Sequence, residues 1–150
     1  MRLINISITT NDLLESIRGR LYEIGESLKT DQTLVQASRL QASVDDDSTL
    51  MVFINNAMDN IISEIRNAVI DIEYVSGDVL NIMLTVSGGC PSTMDKHVSS
   101  MISDYFINSV MFEFMSMVYP SQAKIYFDKC TFIVQELKHV LNKRVKPIRL

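Results

Sequence analysis

A chain of 150 residues is long enough to bury one hydrophobic core, and the expectation is a single helical domain over residues 1–150. With 47% hydrophobic and 21% charged residues, it is too apolar for intrinsic disorder and too evenly interrupted by polar residues for a membrane protein. The formal charge of −4 gives no support to generic nucleic-acid binding. Nine Met, five Gly, three Pro and no Trp leave few places to turn, which points to a few long helices.

From the N-terminus, Ile4, Ile6 and Ile8 alternate with Asn5, Ser7 and Thr9, the pattern of a short strand or an extended arm over residues 1–9. Met1-Arg2-Leu3-Ile4-Asn5-Ile6 contains no apolar stretch of signal-peptide length, and no run approaches the roughly 18 apolar residues that span a bilayer. The expectation is a soluble, intracellular protein. Thr10-Asn11-Asp12 then supplies a cap, and Leu13, Leu14, Ile17, Leu21, Ile24 and Leu28 follow at helical spacing. Gly19 and Gly25 weaken this helix by up to about 1 kcal/mol each, so packing must hold it.

Residues 30–44 are poorly periodic and read as a linker. Asp45, Asp46 and Asp47, followed by Ser48, form a helix-start signal in which negative side chains cap free amides and complement the dipole. A calcium-loop reading lacks the Gly at the sixth position and the Glu at the twelfth. Leu50, Phe53, Ile54, Ala57, Met58, Ile61, Ile62, Ile65, Ala68 and Val69 then recur at three- and four-residue steps, which predicts a helix reaching Val69.

From Asp71 the period shortens. Ile72 and Tyr74, then Val79, Ile82, Leu84 and Val86, flank Ser76-Gly77-Asp78 and predict a two-stranded ribbon. Gly88-Gly89 could approach a phosphate, but P-loop spacing and its Lys-Ser/Thr are lacking. A long helix is expected over residues 93–118, with a wide apolar face that includes Met94, Met101 and Met115. Tyr119-Pro120 should stop it, with Ser121 capping a last helix through Tyr126, Cys130, Leu137 and Leu141. Pro147 ends any helical continuation and leaves a basic C-terminal arm over residues 142–150. The expected fold is mainly α: a bundle of three to four helices, a small β-hairpin and extended N- and C-terminal arms.

No catalytic set emerges, and the expectation is a protein that is not an enzyme. Cys90 and Cys130 fit no metal spacing and no disulfide framework, and they read as reduced thiols. His97 lies near Cys90 and Asp95, but a Cys-His pair needs an orienting third group and an oxyanion hole, for which the sequence offers no candidates. His139 falls near a helix C-terminus, where positive charge is favoured. No metal and no cofactor are expected. The Met- and Phe-rich stripe over residues 94–118 reads either as core or as a face partly covered by a neighbouring subunit.

The charge is segregated. Lys138, Lys143, Arg144, Lys146 and Arg149 are followed and preceded by no acid within residues 138–150, so the remaining 137 residues carry 9 basic against 18 acidic side chains. A basic tail on an acidic body has three readings: a solvated terminus, a dock on the acidic surface of a neighbour, or a local contact with DNA phosphates. A helix-turn-helix reader is disfavoured, because no helix before the last carries a basic exposed face.

Two stretches resemble bacteriophage head–tail connector (neck adaptor) proteins. Asp45-Asp46-Asp47-Ser48-Thr49-Leu50 running on to Ile65 is similar to the acidic opening and first main helix of those adaptors. Pro91-Ser92-Thr93-Met94 with the helix to Met117 is similar to their proline-started second helix, and residues 72–86 match the variable connection between the two. A tail-completion or other neck-ring protein is matched nearly as well. The last helix and basic tail extend beyond the usual adaptor. The resemblance implies a virion protein, assembled in the host cytoplasm as a homo-oligomeric ring between portal and tail. Lys143, Arg144, Lys146 and Arg149 are the candidate subunit or portal contact, with no membrane partner. The alternative is a cytosolic helical adaptor or regulator that takes a partner helix in a Met-rich groove.

Overall fold

The computed structural model describes residues 2–29, 47–86 and 92–142. The chain runs β1 (Arg2–Thr9), α1 (Thr10–Lys29), α2 (Asp47–Ile65), a 3₁₀ turn (Arg66–Ala68), β2 (Asp71–Val75), β3 (Val79–Val86), a second 3₁₀ turn (Ser92–Met94), α3 (Asp95–Val118) and α4 (Pro120–Asn142). The fold is mainly α, with four helices and a small antiparallel sheet among the described residues.

The expected ribbon has a third strand. The sheet order is β1-β3-β2, so residues 2–9 are not a free arm but pair along their whole length with β3. The reason lies in the alternation: the register sets Ile4 opposite Leu84, Ile6 opposite Ile82 and Ile8 opposite Leu80, and the shared apolar face turns inward. Ile4, Ile6, Leu80, Ile82 and Leu84 are all buried. The hairpin turn is also tied to the start of α1. Thr10 donates its backbone N–H to the Asp78 carbonyl at 2.9 Å and its hydroxyl to the Gly77 carbonyl at 2.7 Å. A Cβ added at Gly77 would meet no other atom within 4 Å, so the turn uses its backbone rather than the freedom of glycine.

α2 stops earlier than its apolar period suggests. Ala68 and Val69 continue the helical spacing, yet α2 ends at Ile65 and Val69 is extended, with φ −126° and ψ 163°. The sheet wins this segment, because the Ile70 N–H donates to the Thr85 carbonyl at 2.8 Å. Ser121 is likewise not the cap of the last helix. α4 opens on Pro120, whose fixed φ and missing N–H suit the first helical position, and Ser121 lies inside the first turn.

The core is centred on α3. Leu13, Ile17 and Leu21 of α1, and Leu50, Ile54, Ile61 and Ile65 of α2, form apolar stripes at helical spacing. α3 differs from these, since every residue from Tyr105 to Met111 is buried, nearly two full turns. It packs on α1, α2, α4 and β1, so each side has a neighbour. Arg2 closes the sheet over its first turn by gripping both carboxylate oxygens of Asp95 at 2.6 Å. Of the methionine stripe, Met101, Met111 and Met115 are core, while Met117 is exposed.

Candidate interaction surface

Titratable side chains on α3 and α4 are kept apart or silenced. His97 is exposed in the opening turns of α3, and Tyr105 lies eight residues further on, about 12 Å along the axis. Cys90, Gly88, Gly89 and Pro91 lie outside the described residues. Cys130 is half-buried on α4, where burial pushes its thiol up to about 12. Burial, aided by the nearby Cys130 and Glu64, also pushes the Tyr105 phenol up to about 12. A small recess of 290 Å³ collects Glu64, Tyr105, Phe127, Cys130 and Lys138. Its nucleophiles are protonated at neutral pH, and its carboxylate is engaged by Lys138 at 3.3 Å. Among the described residues, no group of three or more His, Cys, Asp and Glu could hold a metal ion. Among them, too, no helix is long and apolar enough to cross a membrane.

What remains is surface. α2 begins at Asp47, as the acidic start signal requires, while Asp45 and Asp46 lie outside the described residues. The candidate contact residues Lys143, Arg144, Lys146 and Arg149 also lie outside them, directly after the last residue of α4, Asn142. Lys138, the first cation of the basic run, is held by Glu64 of α2. Both partners are about half exposed, so this pair adds little stability.

Two regions expose large apolar side chains in groups. On α4 these are Ile125 and Phe132, seven residues apart on one side of the helix with Phe132 63% exposed, and Phe127 on another side. Phe127 leans on Phe112 of α3 with ring centroids 5.4 Å apart. Between α3 and α4, a groove of 360 Å³ runs past Asp104, Asn108, Asp128, Lys129 and Phe132. At its base Asn108 donates to the Asp104 carbonyl at 2.8 Å, and its buried Oδ1 accepts nothing from the described residues.

The second region is the outer face of the sheet. Alternation puts Leu3, Asn5 and Ser7 of β1, Val79, Asn81 and Met83 of β3, and Glu73 and Val75 of β2 on that face. Leu3, Val75, Val79 and Met83 are each at least 40% exposed. Of these, Val75 and Met83 line a shallow hollow of 610 Å³ together with Asn5, Ser7, Glu73 and Asn81. Asp71, Glu73 and Asp78 add three exposed carboxylates, and residues 71–86 contain no cation.

Sequence reasoning located the charge segregation but not these two faces. Its two readings of the methionine-rich stripe were core or a partly covered subunit face, and the buried middle of α3 fits core. The available signal was on α4, where Ile125, Tyr126, Phe127, Phe132, Ile133 and Val134 point in too many directions for one stripe. No family model, no curated protein and no solved structure matches this chain.

Proposed function

We propose that the chain is a structural subunit of a bacteriophage neck, forming an oligomeric ring that joins portal and capsid to the tail without an enzymatic step. The observation that carries this reading is the pair of separate surfaces, an acidic apolar sheet face and an exposed aromatic helix that runs into a basic segment. Different surfaces on one subunit make a heterologous contact, and such contacts close into rings or extend as filaments. The resemblance of residues 45–65 and 91–117 to neck adaptors supplies the virion setting. In that setting Lys143, Arg144, Lys146 and Arg149 carry the subunit or portal contact, and a local contact with DNA phosphates is a secondary role for the same cations.

Electron microscopy of the purified protein, alone and with extract of infected cells, tests the class: rings support it, and a monodisperse monomer in both samples overturns it. Deleting residues 143–150 should abolish assembly while leaving the helical circular dichroism intact, and normal particles from the truncated protein would remove those cations from the contact. A second reading, a cytosolic helical adaptor, would place a partner segment in the groove over Asn108, whose buried oxygen has no donor among the described residues. Binding of one partner by a chain that never oligomerises favours that reading.

A further inference from the structure

The outer sheet face combines three properties that select an occupant. It is hollow, it exposes apolar side chains, and its formal charge is entirely negative over residues 71–86. β2 is also an edge strand of the described sheet, so the backbone beside Glu73 and Val75 has a side unoccupied by any described strand. Residues 143–150 are the chemical complement. They contain Lys143, Arg144, Lys146 and Arg149, the apolar Val145, Ile148 and Leu150, and no acid.

We infer that the outer face of the sheet is the docking surface for residues 143–150 of a second copy of this chain. The cations meet Asp71, Glu73 and Asp78 around the rim, and the apolar side chains between them cover Val75 and Met83. Opposite charge steers such an encounter and sets its register, while removal of the exposed apolar area from water holds it. The inner face of the sheet packs into the core of its own copy, so the outer face is the one turned toward other molecules. A neighbouring copy meets it face-on. The contact is head-to-tail, and every subunit both donates a tail and accepts one. This inference rests on the assembly reading above and assigns the tail its acceptor.

The test uses the full chain with Cys90→Ser and Cys130→Ser, so that introduced thiols are the only ones. Glu73→Cys and Arg149→Cys are placed in separate preparations and then mixed under mild oxidation. A disulfide-linked dimer in the mixture, absent from either variant alone, is the expected result. The double variant should give a ladder of covalent oligomers. A disulfide confined within single chains of the double variant overturns the inference in favour of self-docking, and no disulfide in any arm overturns it outright. If the Cys-replaced background fails to fold, the same pair is made in the native background and assigned by peptide mass mapping.

Sedimentation supplies an independent arm. Glu73→Lys should weaken self-association about tenfold, and raised salt should weaken that of the unaltered chain. Unchanged association in both cases overturns the inference. Failure here is distinguishable from failure of the neck reading. Disulfide exchange without incorporation into particles leaves the contact and removes the neck, and incorporation without exchange does the reverse.

Discussion

α3 and α4 are consecutive helices of nearly equal length, 24 and 23 residues, separated by one residue and packed against each other. Both are rich in large apolar side chains. Yet α3 is covered on all sides through its middle, Tyr105 to Met111, whereas α4 buries only Ala123, Leu137, Val140 and Leu141. The difference does not come from composition but from neighbours. Among the described elements, α3 packs mainly on α1, α2, α4 and β1, while α4 packs mainly on α3 and, toward its C-terminal half, on α2 with its following turn. A helix apolar all round is a core helix where neighbours exist, and where they do not it leaves an apolar face available for association.

The largest effect should come from emptying the encased helix. Phe106 is fully buried at the centre of α3, and Phe106→Ala should cost about 3–5 kcal/mol, read by urea unfolding. A cost under about 1 kcal/mol would mean that α3 is not the centre of the core. Leu137→Ala removes one of the few side chains that anchor α4. It should cost about 2–4 kcal/mol by the same measurement, since one side of its site is the thinner α4 layer and can partly collapse.

Much of this architecture was legible before the structure. The strand over residues 3 to 9, the opening of α1, the Asp47 start of α2, the hairpin and the two final helices all follow from periodicity and punctuation. Misjudged segments were those where a distant partner decided. Ala68 and Val69 fit the helical spacing, but the next residue, Ile70, is drawn into the sheet by Thr85, and the pairing of residues 2–9 is decided by a strand 70 or more positions away. The candidate surface was less legible for the same reason. Whether Phe132 or Phe106 is exposed depends on what stands beside each helix, and spacing along one helix carries no record of that. Charge was more readable, because Asp71, Glu73 and Asp78 lie within one hairpin whose turn the sequence marks.

The two helices also share a pH-sensitive junction, where Tyr105 of α3 and Cys130 of α4 are both pushed up to about 12, chiefly by burial. An unfolded chain loses the thiol proton near 9 and the phenol proton near 10, whereas the folded chain keeps both until about 12. Above pH 9 the unfolded state therefore binds fewer protons, and stability must fall as pH rises toward 12. The melting temperature should be flat from pH 7 to 9 and then decline. Cys130→Ala should flatten the first part of the decline, and the native thiol should react slowly with a disulfide reagent at pH 8. Rapid reaction there would show that α4 does not shield Cys130, which would widen the contrast between the helices further.

The smallest expected effect is the most discriminating. Phe132 is 63% exposed on α4, beside the groove over Asn108. In an isolated subunit Phe132→Ser removes an aromatic ring that is mostly in water, so its stability should change by no more than about 0.5 kcal/mol. The same substitution in α3 would be among the most damaging. Measured by thermal melting at low and high protein concentration, the variant and the unaltered chain should coincide at the low end. A loss of about 2 kcal/mol already in dilute solution would mean that α4 is covered within the subunit. Its resemblance to α3 would then extend to burial, and the exposed aromatic face would no longer be available to a partner. A gap that opens only as concentration rises would show that α4 acquires its missing neighbour from another copy, which the surroundings of α3 provide within one.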